Sequence, residues 1–405
     1  MKNVISILFL FLTASVVKAQ ELQYFILEAE NNNPEIKAFN LRYNIAEEKV
    51  NEVNWVPNTE FSAGYFVSEP ETRTGPQRAR FSARQMLPWF GTITTRENYA
   101  TAMANAEYIE IVIAKRKLSL SVSQSYFGLY EIKAQQRVLS KNVLLLKTYE
   151  KIALKSLEVG KASAVDVLRL QIRQNELQQQ KDLLDEAYLA TQISFNKLLH
   201  REGATELIIP NELFLPNEDV LPIKGVLSLN PELLLYDKRY ESVAKEELLN
   251  KNELNPMIGF GLDYIPVSER TDMNFNDNGK DVFMPMMTVS IPLFNNKFKS
   301  ITKQNELRQL EINSQKESRL NILETAFAKA ISRRNQAKIQ SYTQEKNLKQ
   351  AQDAEEILIK NYQTGTINFN DILDIQELQL KFQMNQISAV TSYYTQTAII
   401  NYLIN

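Results

Sequence analysis

The stretch YQTGTINFNDILDIQ at residues 362–376 has a second version, LEVGKASAVDVLRLQ, at residues 157–171. Gly365 in the one stretch and Gly160 in the other are 205 residues apart, and each interrupts a long segment with helical periodicity. Glycine readily adopts the left-handed backbone conformation that a tight turn between two helices requires. The repetition therefore predicts two helical hairpins with related tips, in which Gly160 and Gly365 form the tip turns.

The acids that follow these glycines differ between the two copies. Asp371 aligns with Asp166 at the same interval, but the second copy adds Asp374 where the first has Arg169. Asp371 and Asp374 are three residues apart, which makes them neighbours on one helical face. Two carboxylates on one face concentrate negative charge at the tip of the second predicted hairpin. The alternative is that the aspartates cap the helices that begin after the turns.

Composition excludes several classes of protein. The 405 residues include 46 basic and 48 acidic side chains, no cysteine and a single histidine, His200. A near-neutral balance gives no reason to expect a nucleic-acid partner. Thiolate metal sites and cysteine nucleophiles are absent, and the chain has no serine-hydrolase, phosphate-loop or zinc-protease motif. We expect no enzyme activity, no cofactor and no resident metal.

The N-terminus predicts secretion. Residues 1–19 contain a basic Lys2, an apolar run and small or aliphatic residues before a cleavage site after Ala19, which is typical of a signal peptide. The apolar run is too short for a membrane anchor. Beyond residue 20 no stretch approaches 18 consecutive apolar residues. Any membrane that the mature chain crosses must therefore be crossed by strands.

Proline placement indicates where the helices lie. All 13 prolines fall within residues 34–88 and 210–292. Residues 89–209 and 293–405 have no proline and few glycines. Such segments, with narrow apolar seams, are typical of long helices packed side by side as coiled coils. We expect long helices near residues 92–158, 163–200, 296–363 and 368–404.

Four segments with alternating apolar and polar residues lie among the prolines. We expect strands near residues 59–67, 78–87, 257–265 and 282–291. Alternation over about ten residues is typical of transmembrane barrels, although a half-buried strand of a soluble sheet has the same pattern. The signal peptide, the long polar loops and the only two tryptophans, Trp55 and Trp89, favour the barrel, because aromatic residues border membrane strands at the interface.

The polar face of the second strand contains three arginines. Arg78, Arg80 and Arg84 alternate with apolar residues, which predicts that they point into the barrel lumen. Pairing with Glu60 across the hairpin is the alternative. On the opposite face we expect lipid contact for Phe61, Phe81, Phe260 and Val289.

The whole chain is duplicated. NNPEIKAFN at 32–40 matches LNPELLLYD at 229–237, and MLPWFG at 86–91 matches SIPLFN at 290–295. This gives a first structural repeat at residues 20–202, an extended connector at 203–230 and a second repeat at 231–405. Four strands cannot close a barrel, since about eight is the minimum. Three copies would supply twelve strands.

These motifs together resemble the TolC family of outer-membrane efflux proteins. The resemblance implies a mainly α-helical chain with a small β part, which forms a homotrimer. Its twelve-stranded outer-membrane β-barrel, with four strands per chain and in contact with lipid, continues into a periplasmic α-helical coiled-coil barrel. It also implies a passive exit duct of a tripartite efflux pump in the outer membrane of a Gram-negative bacterium. The implied partners are a periplasmic adaptor protein and an inner-membrane pump of the RND class, and the implied cargo is drugs or metal ions.

The resemblance assigns roles to residues at the tip. It implies that Asp371 and Asp374 form the gate and that polar links hold the second-repeat hairpin shut, with Tyr362 and Asp166 as the candidate latch. An arginine that is common in the family near position 367 is Ile367 here, which departs from the family pattern at that link.

Two questions stay open from the sequence. A periplasmic adaptor or a structural coiled-coil protein of the cell envelope is the alternative function. Adaptors have a single helical hairpin, however, and a coiled-coil protein needs no paired strands.

The methionines Met284 and Met286 suit a soft metal such as Cu(I), although methionine more commonly fills irregular packing.

Overall fold

The computed structural model describes residues 22–160, 163–218, 226–272, 275–293, 296–364, 366–367 and 369–404. The predicted signal peptide lies outside these residues. In chain order the elements are α1 (residues 22–32), α2 (Pro34–Glu52), β1 (Glu60–Tyr65), β2 (Glu71–Thr72), β3 (Gly75–Pro76), β4 (Ala79–Leu87), α3 (Thr92–Glu158), α4 (Ala164–Leu198), a 3₁₀ turn (Val226–Leu229), α5 (Pro231–Asn252), β5 (Met257–Ile265), β6 (Val282–Ser290), α6 (Lys297–Thr364) and α7 (Phe369–Ile404).

Helices dominate the chain, which confirms the expected fold class, mainly helical with a small sheet. Helices α3 and α6 have 67 and 68 residues, about 100 Å each at the usual rise per residue. Their sequences contain no proline, so no backbone hydrogen bond is lost along either helix. Each is followed within about five residues by a return helix of about half its length, α4 or α7.

The NPE motif has the same structural role in both repeats. The Asn33 side chain donates a hydrogen bond to the Leu198 carbonyl at 3.0 Å, and Asn230 donates to the Leu403 carbonyl at 2.9 Å. Leu198 and Leu403 are 205 residues apart and lie at the C-terminal ends of the return helices α4 and α7. Each asparagine precedes the proline that begins a helix, where a missing N–H costs nothing. The motif therefore ties the start of each repeat to its end.

The chain divides into two compact units. The helical unit comprises the described parts of Met1–Ala38, Ile111–Pro231 and Arg319–Asn405, and the sheet unit comprises Phe39–Glu110 and Glu232–Ser318. Each unit takes segments from both sequence repeats.

In the sheet unit, four antiparallel strands have the order β1-β4-β5-β6. The pairing of β4 with β5 joins the two repeats in one sheet. One row across the sheet contains Phe61, Ala83, Leu262 and Pro285, and the next contains Ser62, Ser82, Asp263 and Met284. The apolar face exposes Phe61, Phe81, Phe260, Leu262, Phe283 and Val289. Among the described residues, β1 and β6 each lack a partner on their outer edge.

The core of the helical unit is shared by both repeats. Its buried residues come from α3, α4 and α7 and include Leu139, Leu146, Leu170, Leu177, Ile372 and Leu380. Full burial of each aliphatic side chain contributes about 1.5–3 kcal/mol. The return helix of the second repeat therefore packs on the first-repeat hairpin.

Residues 203–218 of the predicted connector form neither helix nor strand. The Leu213 N–H donates to the Tyr130 hydroxyl at 3.0 Å, and the Tyr394 hydroxyl donates to the Phe214 carbonyl. The connector is thereby attached to α3 and to α7.

Among the helices that the structure describes, none has the length and apolarity needed to span a bilayer.

Candidate functional site

The tip of the first hairpin is a glycine turn followed by a capped helix. Gly160 has a positive φ of 72° and donates its N–H to the Leu157 carbonyl at 3.0 Å. At the start of α4, Ser163 accepts the Val165 N–H at 3.1 Å, and Asp166 accepts the Ser163 N–H at 3.0 Å. This capping box satisfies N–H groups that have no partner within the helix.

The tip of the second hairpin is packed by aromatic rings. Gly365, its predicted turn residue, lies outside the described residues. The Tyr362 ring in α6 contacts Phe369 in α7 edge-on, with centroids 5.1 Å apart, and Phe369 also contacts Tyr149 of α3 at 6.0 Å. Phe369 is buried, so these rings anchor the start of α7.

The candidate latch is not formed within the chain. The Asp166 carboxylate is occupied in its own capping box, because Ser163 places a donor three residues before it. The buried Tyr362 hydroxyl has no hydrogen-bond partner among the described residues. The two side chains that the family resemblance pairs therefore do not bond to one another in this chain.

The candidate gate acids lie in the first two turns of α7. Asp371 and Asp374 are exposed, whereas Ile372 and Gln376 on the other side of the helix are buried. A carboxylate in the first helical turn interacts favourably with the positive end of the helix dipole.

A cavity of about 690 Å³ lies between α4 and α7 near the tips. Its charged lining comes from both repeats and comprises Arg169, Arg173, Glu176, Asp374 and Glu377. Asp374 therefore shares the cavity with two arginines.

Two side-chain links cross from α4 to α7 beside this cavity. The Arg169 guanidinium donates to Asn370 Oδ1. Arg173 lies 3.6 Å from Glu377, and its other terminal nitrogen bonds Glu176 on its own helix at 2.8 Å. Sequence reasoning identified Arg169 only as the residue that replaces an acid. An arginine at the position of an acid in the other repeat was the signal for the Arg169 link, whereas Arg173 aligns with Leu378 and gave no such signal.

In the sheet unit, Arg80 and Arg84 lie on the polar face of β4, and Arg78 immediately precedes this strand. Arg80 pairs with Asp263 across β4 and β5, and Arg78 lies 3.8 Å from Glu69. Glu60 is directly opposite Arg84 in the pairing of β1 with β4. Of the three arginines, Arg84 is therefore the one placed to pair with Glu60 across the hairpin. The partner of Arg80, Asp263, belongs to the second repeat.

The two tryptophans lie where helix and strand meet. Trp55 is between α2 and β1, is half exposed, and has the Arg96 guanidinium 5.1 Å from its ring centre. Trp89 is between β4 and α3, is 37% exposed, and contacts Phe90 edge-on at 5.9 Å. Both rings are thus available to a membrane interface.

Met284 and Met286 alternate along β6 on the face that contains the arginines. Gly261 opposes Met286, and a side chain at Gly261 would meet the methionine methyl group at 3.4 Å. This close packing agrees with a filling role for the methionine. Among the described residues, no group of three or more histidines or acids could hold a metal ion.

Comparison of the sequence with family models and with curated proteins gives no match. Comparison of the structure with solved structures gives several matches. CusC, described as forming a transmembrane channel, matches with a TM-score of 0.77 and 15% identity over 95% of this chain and 92% of that chain. The outer-membrane protein VceC of Vibrio cholerae matches with a TM-score of 0.73 and 16% identity over 95% of this chain and 96% of that chain. The outer-membrane channel MtrE of Neisseria gonorrhoeae matches with a TM-score of 0.73 and 16% identity over 95% of this chain and 88% of that chain. The TolC-like fold expected from the sequence is confirmed, and the chain has the fold of these outer-membrane channels.

Proposed function

We propose that this chain is the exit duct of a tripartite efflux pump in the outer membrane of a Gram-negative bacterium. The observation that carries the proposal is the agreement of fold over 95% of the chain with outer-membrane channels. The exposed apolar face of the sheet supports it independently, because a soluble protein rarely exposes so many large apolar side chains together.

The sheet supports assembly from three copies. A membrane strand with an unpaired edge leaves backbone groups without partners in lipid, at several kcal/mol for each group. Pairing of β1 of one copy with β6 of the next would satisfy both edges, and three copies would give a twelve-stranded barrel. Phe61, Phe81, Phe260 and Val289 would then face lipid, with Trp55 and Trp89 at the interface. Arg78, Arg80 and Arg84 would face the lumen.

The helical tips provide the proposed gate. Asp371 and Asp374 of each copy would line the entrance, and carboxylates arranged in a ring favour cations. The arginine links from α4 to α7 would hold the tip narrow and reduce the negative potential there. Opening then requires the second-repeat hairpin to separate from the first.

The energy for transport must come from partners. Efflux through a passive duct requires an inner-membrane transporter, which we propose to be of the RND class, and a periplasmic adaptor that seals the junction. Drugs or metal ions are the proposed cargo classes.

Fractionation of cells tests this proposal against its alternatives. The outer-membrane fraction should contain the chain, and its migration on gels should change on heating because a barrel resists detergent until heated. Recovery in the soluble periplasmic fraction would favour a periplasmic adaptor or a structural coiled-coil protein instead. Loss of the chain should also raise accumulation of at least one exported drug or metal ion.

A further inference from the structure

The cavity between α4 and α7 combines an apolar floor with a charged rim. Its volume of about 690 Å³ lies within the range of small-molecule sites, about 300–1,000 Å³. Aliphatic side chains of α3, α4 and α7 form the floor, namely Leu146, Ile172, Leu177, Leu373 and Leu380. Most of this floor is covered, but Ile172 is 58% exposed. The cavity therefore suits the apolar body of a small organic molecule.

Three of the five charged side chains at the rim are engaged with one another. Arg173 bonds Glu176 at 2.8 Å and lies 3.6 Å from Glu377. Each of these charges has an opposite charge within 4 Å, so the group has little to offer to an incoming ligand.

The other two charges, Arg169 and Asp374, have no charged partner among the described residues. Arg169 donates to the neutral Asn370 side chain, which leaves most of the five guanidinium N–H donors available. Asp374 has neither a hydrogen bond nor an ion pair in the described part of the chain. Both side chains are exposed, and both line the cavity. The rim thus presents one available cation on α4 and one available carboxylate on α7.

We propose that this cavity binds a small amphoteric molecule, which has an apolar body, a carboxylate and a protonated amine. The apolar body would lie on the aliphatic floor. The carboxylate would accept hydrogen bonds from Arg169, whose planar guanidinium matches carboxylate geometry, and the amine would donate to Asp374. A ligand with an amine alone would leave Arg169 beside a like charge, and one with a carboxylate alone would do the same to Asp374.

As a contact for exported molecules, the site narrows the cargo class, and in that respect it rests on the proposed function. Binding itself is a property of the chain, because all residues of the site belong to one copy.

Three probes that share one fluorophore test the ligand class at pH 7. Nε-dansyl-lysine has a carboxylate and an amine, dansylcadaverine has only the amine, and 6-(dansylamino)hexanoate has only the carboxylate. Fluorescence anisotropy of each probe is titrated with the full chain in lipid nanodiscs, with protein-free nanodiscs as the blank. The amphoteric probe should bind about fivefold or more tightly than either of the others. Equal or tighter binding of a singly charged probe, or no binding of any probe, would overturn the proposal.

Substitutions assign the two charges and the floor. Arg169→Gln should weaken binding of the amphoteric probe and of the carboxylate probe, but not that of dansylcadaverine. Asp374→Asn should weaken binding of the amphoteric probe and of dansylcadaverine, but not that of the carboxylate probe. Ile172→Ser should weaken binding of all three, because the floor loses apolar contact.

Asp371→Asn is the matched control, since Asp371 is an exposed acid of the same helical face and is not among the described residues that line the cavity. Equal loss of binding in Asp371→Asn and Asp374→Asn would assign the effect to the overall charge of the tip and would overturn the proposal. Wild-type protein that binds the amphoteric probe as expected but conducts no ions would count against the proposed function alone.

Discussion

Arg169 and Asp374 occupy the same position in the two repeats, 205 residues apart, and both line the cavity between α4 and α7. The duplication thus brings opposite charges together at the tip. The net charges of the surrounding segments also differ. Residues 141–181 have eight basic and four acidic side chains, whereas residues 346–386 have four basic and six acidic side chains. The first hairpin tip is basic and the second is acidic.

Loss of the arginine links should favour the open channel. Arg169→Ala with Arg173→Ala removes the side chains that reach Asn370 and Glu377. Exposed pairs contribute about 0.2–1 kcal/mol each, so we expect open probability in planar bilayers to rise severalfold. Lys181→Ala is the control, because Lys181 pairs with Asp185 on its own helix at 2.8 Å. A double variant with the same open probability as this control would contradict the assignment of the links.

The acids of the proposed gate should determine ion selectivity. Asp371→Asn with Asp374→Asn removes two charges per chain, so cation selectivity should fall and block by multivalent cations should weaken. Reversal potentials across a salt gradient measure the selectivity. Asp353→Asn removes an exposed acid of α6 and should leave both properties unchanged. Unchanged selectivity in the double variant would show that the acids only cap α7.

Tyr149→Phe removes the hydrogen bond from α3 to Glu355 in α6 and should destabilise the protein by about 1.5–3 kcal/mol, the range for a hydrogen bond to a charged group. The folded-state pKa of Tyr149 is raised above its ordinary value of 10.0. The stabilisation is therefore fully present below pH 10 and is lost as the pH rises through the raised pKa. Denaturant unfolding of the detergent-solubilised protein at pH 7 and at strongly alkaline pH measures both effects.

Tyr188→Phe is the control for this experiment, since no hydrogen bond of the Tyr188 hydroxyl occurs among the described residues. A Tyr149→Phe variant as stable at pH 7 as this control would contradict the role of the hydroxyl.

The apolar face of the sheet should be sensitive to charge. Phe260 is 56% exposed on that face of β5, and lysine at the middle of a bilayer costs about 2–4 kcal/mol. Phe260→Lys should reduce the amount of chain recovered in the outer membrane. Met286→Lys, on the opposite face of the sheet, should be tolerated better. Equal insertion of the two variants would show that the lipid-facing side is wrongly assigned.

The periodic parts of the fold could be predicted from sequence. The expected helix at 92–158 is Thr92–Glu158 in the structure, because proline and glycine mark its ends and are nearly absent within it. The strands follow from alternation, although β1 ends at Tyr65, two residues before its expected end. The turn that follows forms a small sheet of β2 and β3 that no periodic pattern indicates.

Contacts between distant segments could not be predicted in this way. Arg80 pairs with Asp263, and Tyr149 bonds Glu355, each across about two hundred residues. These pairs depend on which strands and helices become neighbours, which local periodicity does not specify. The latch between Asp166 and Tyr362 follows from the resemblance alone. In the structure Asp166 accepts the Ser163 N–H, and the Tyr362 hydroxyl has no partner among the described residues.

The most direct test of the exit-duct proposal combines mass and conductance of the same preparation. Protein extracted from the outer membrane should have the native mass of three chains and should form ion-conducting channels in planar bilayers. A monomeric mass without conductance would contradict the proposal.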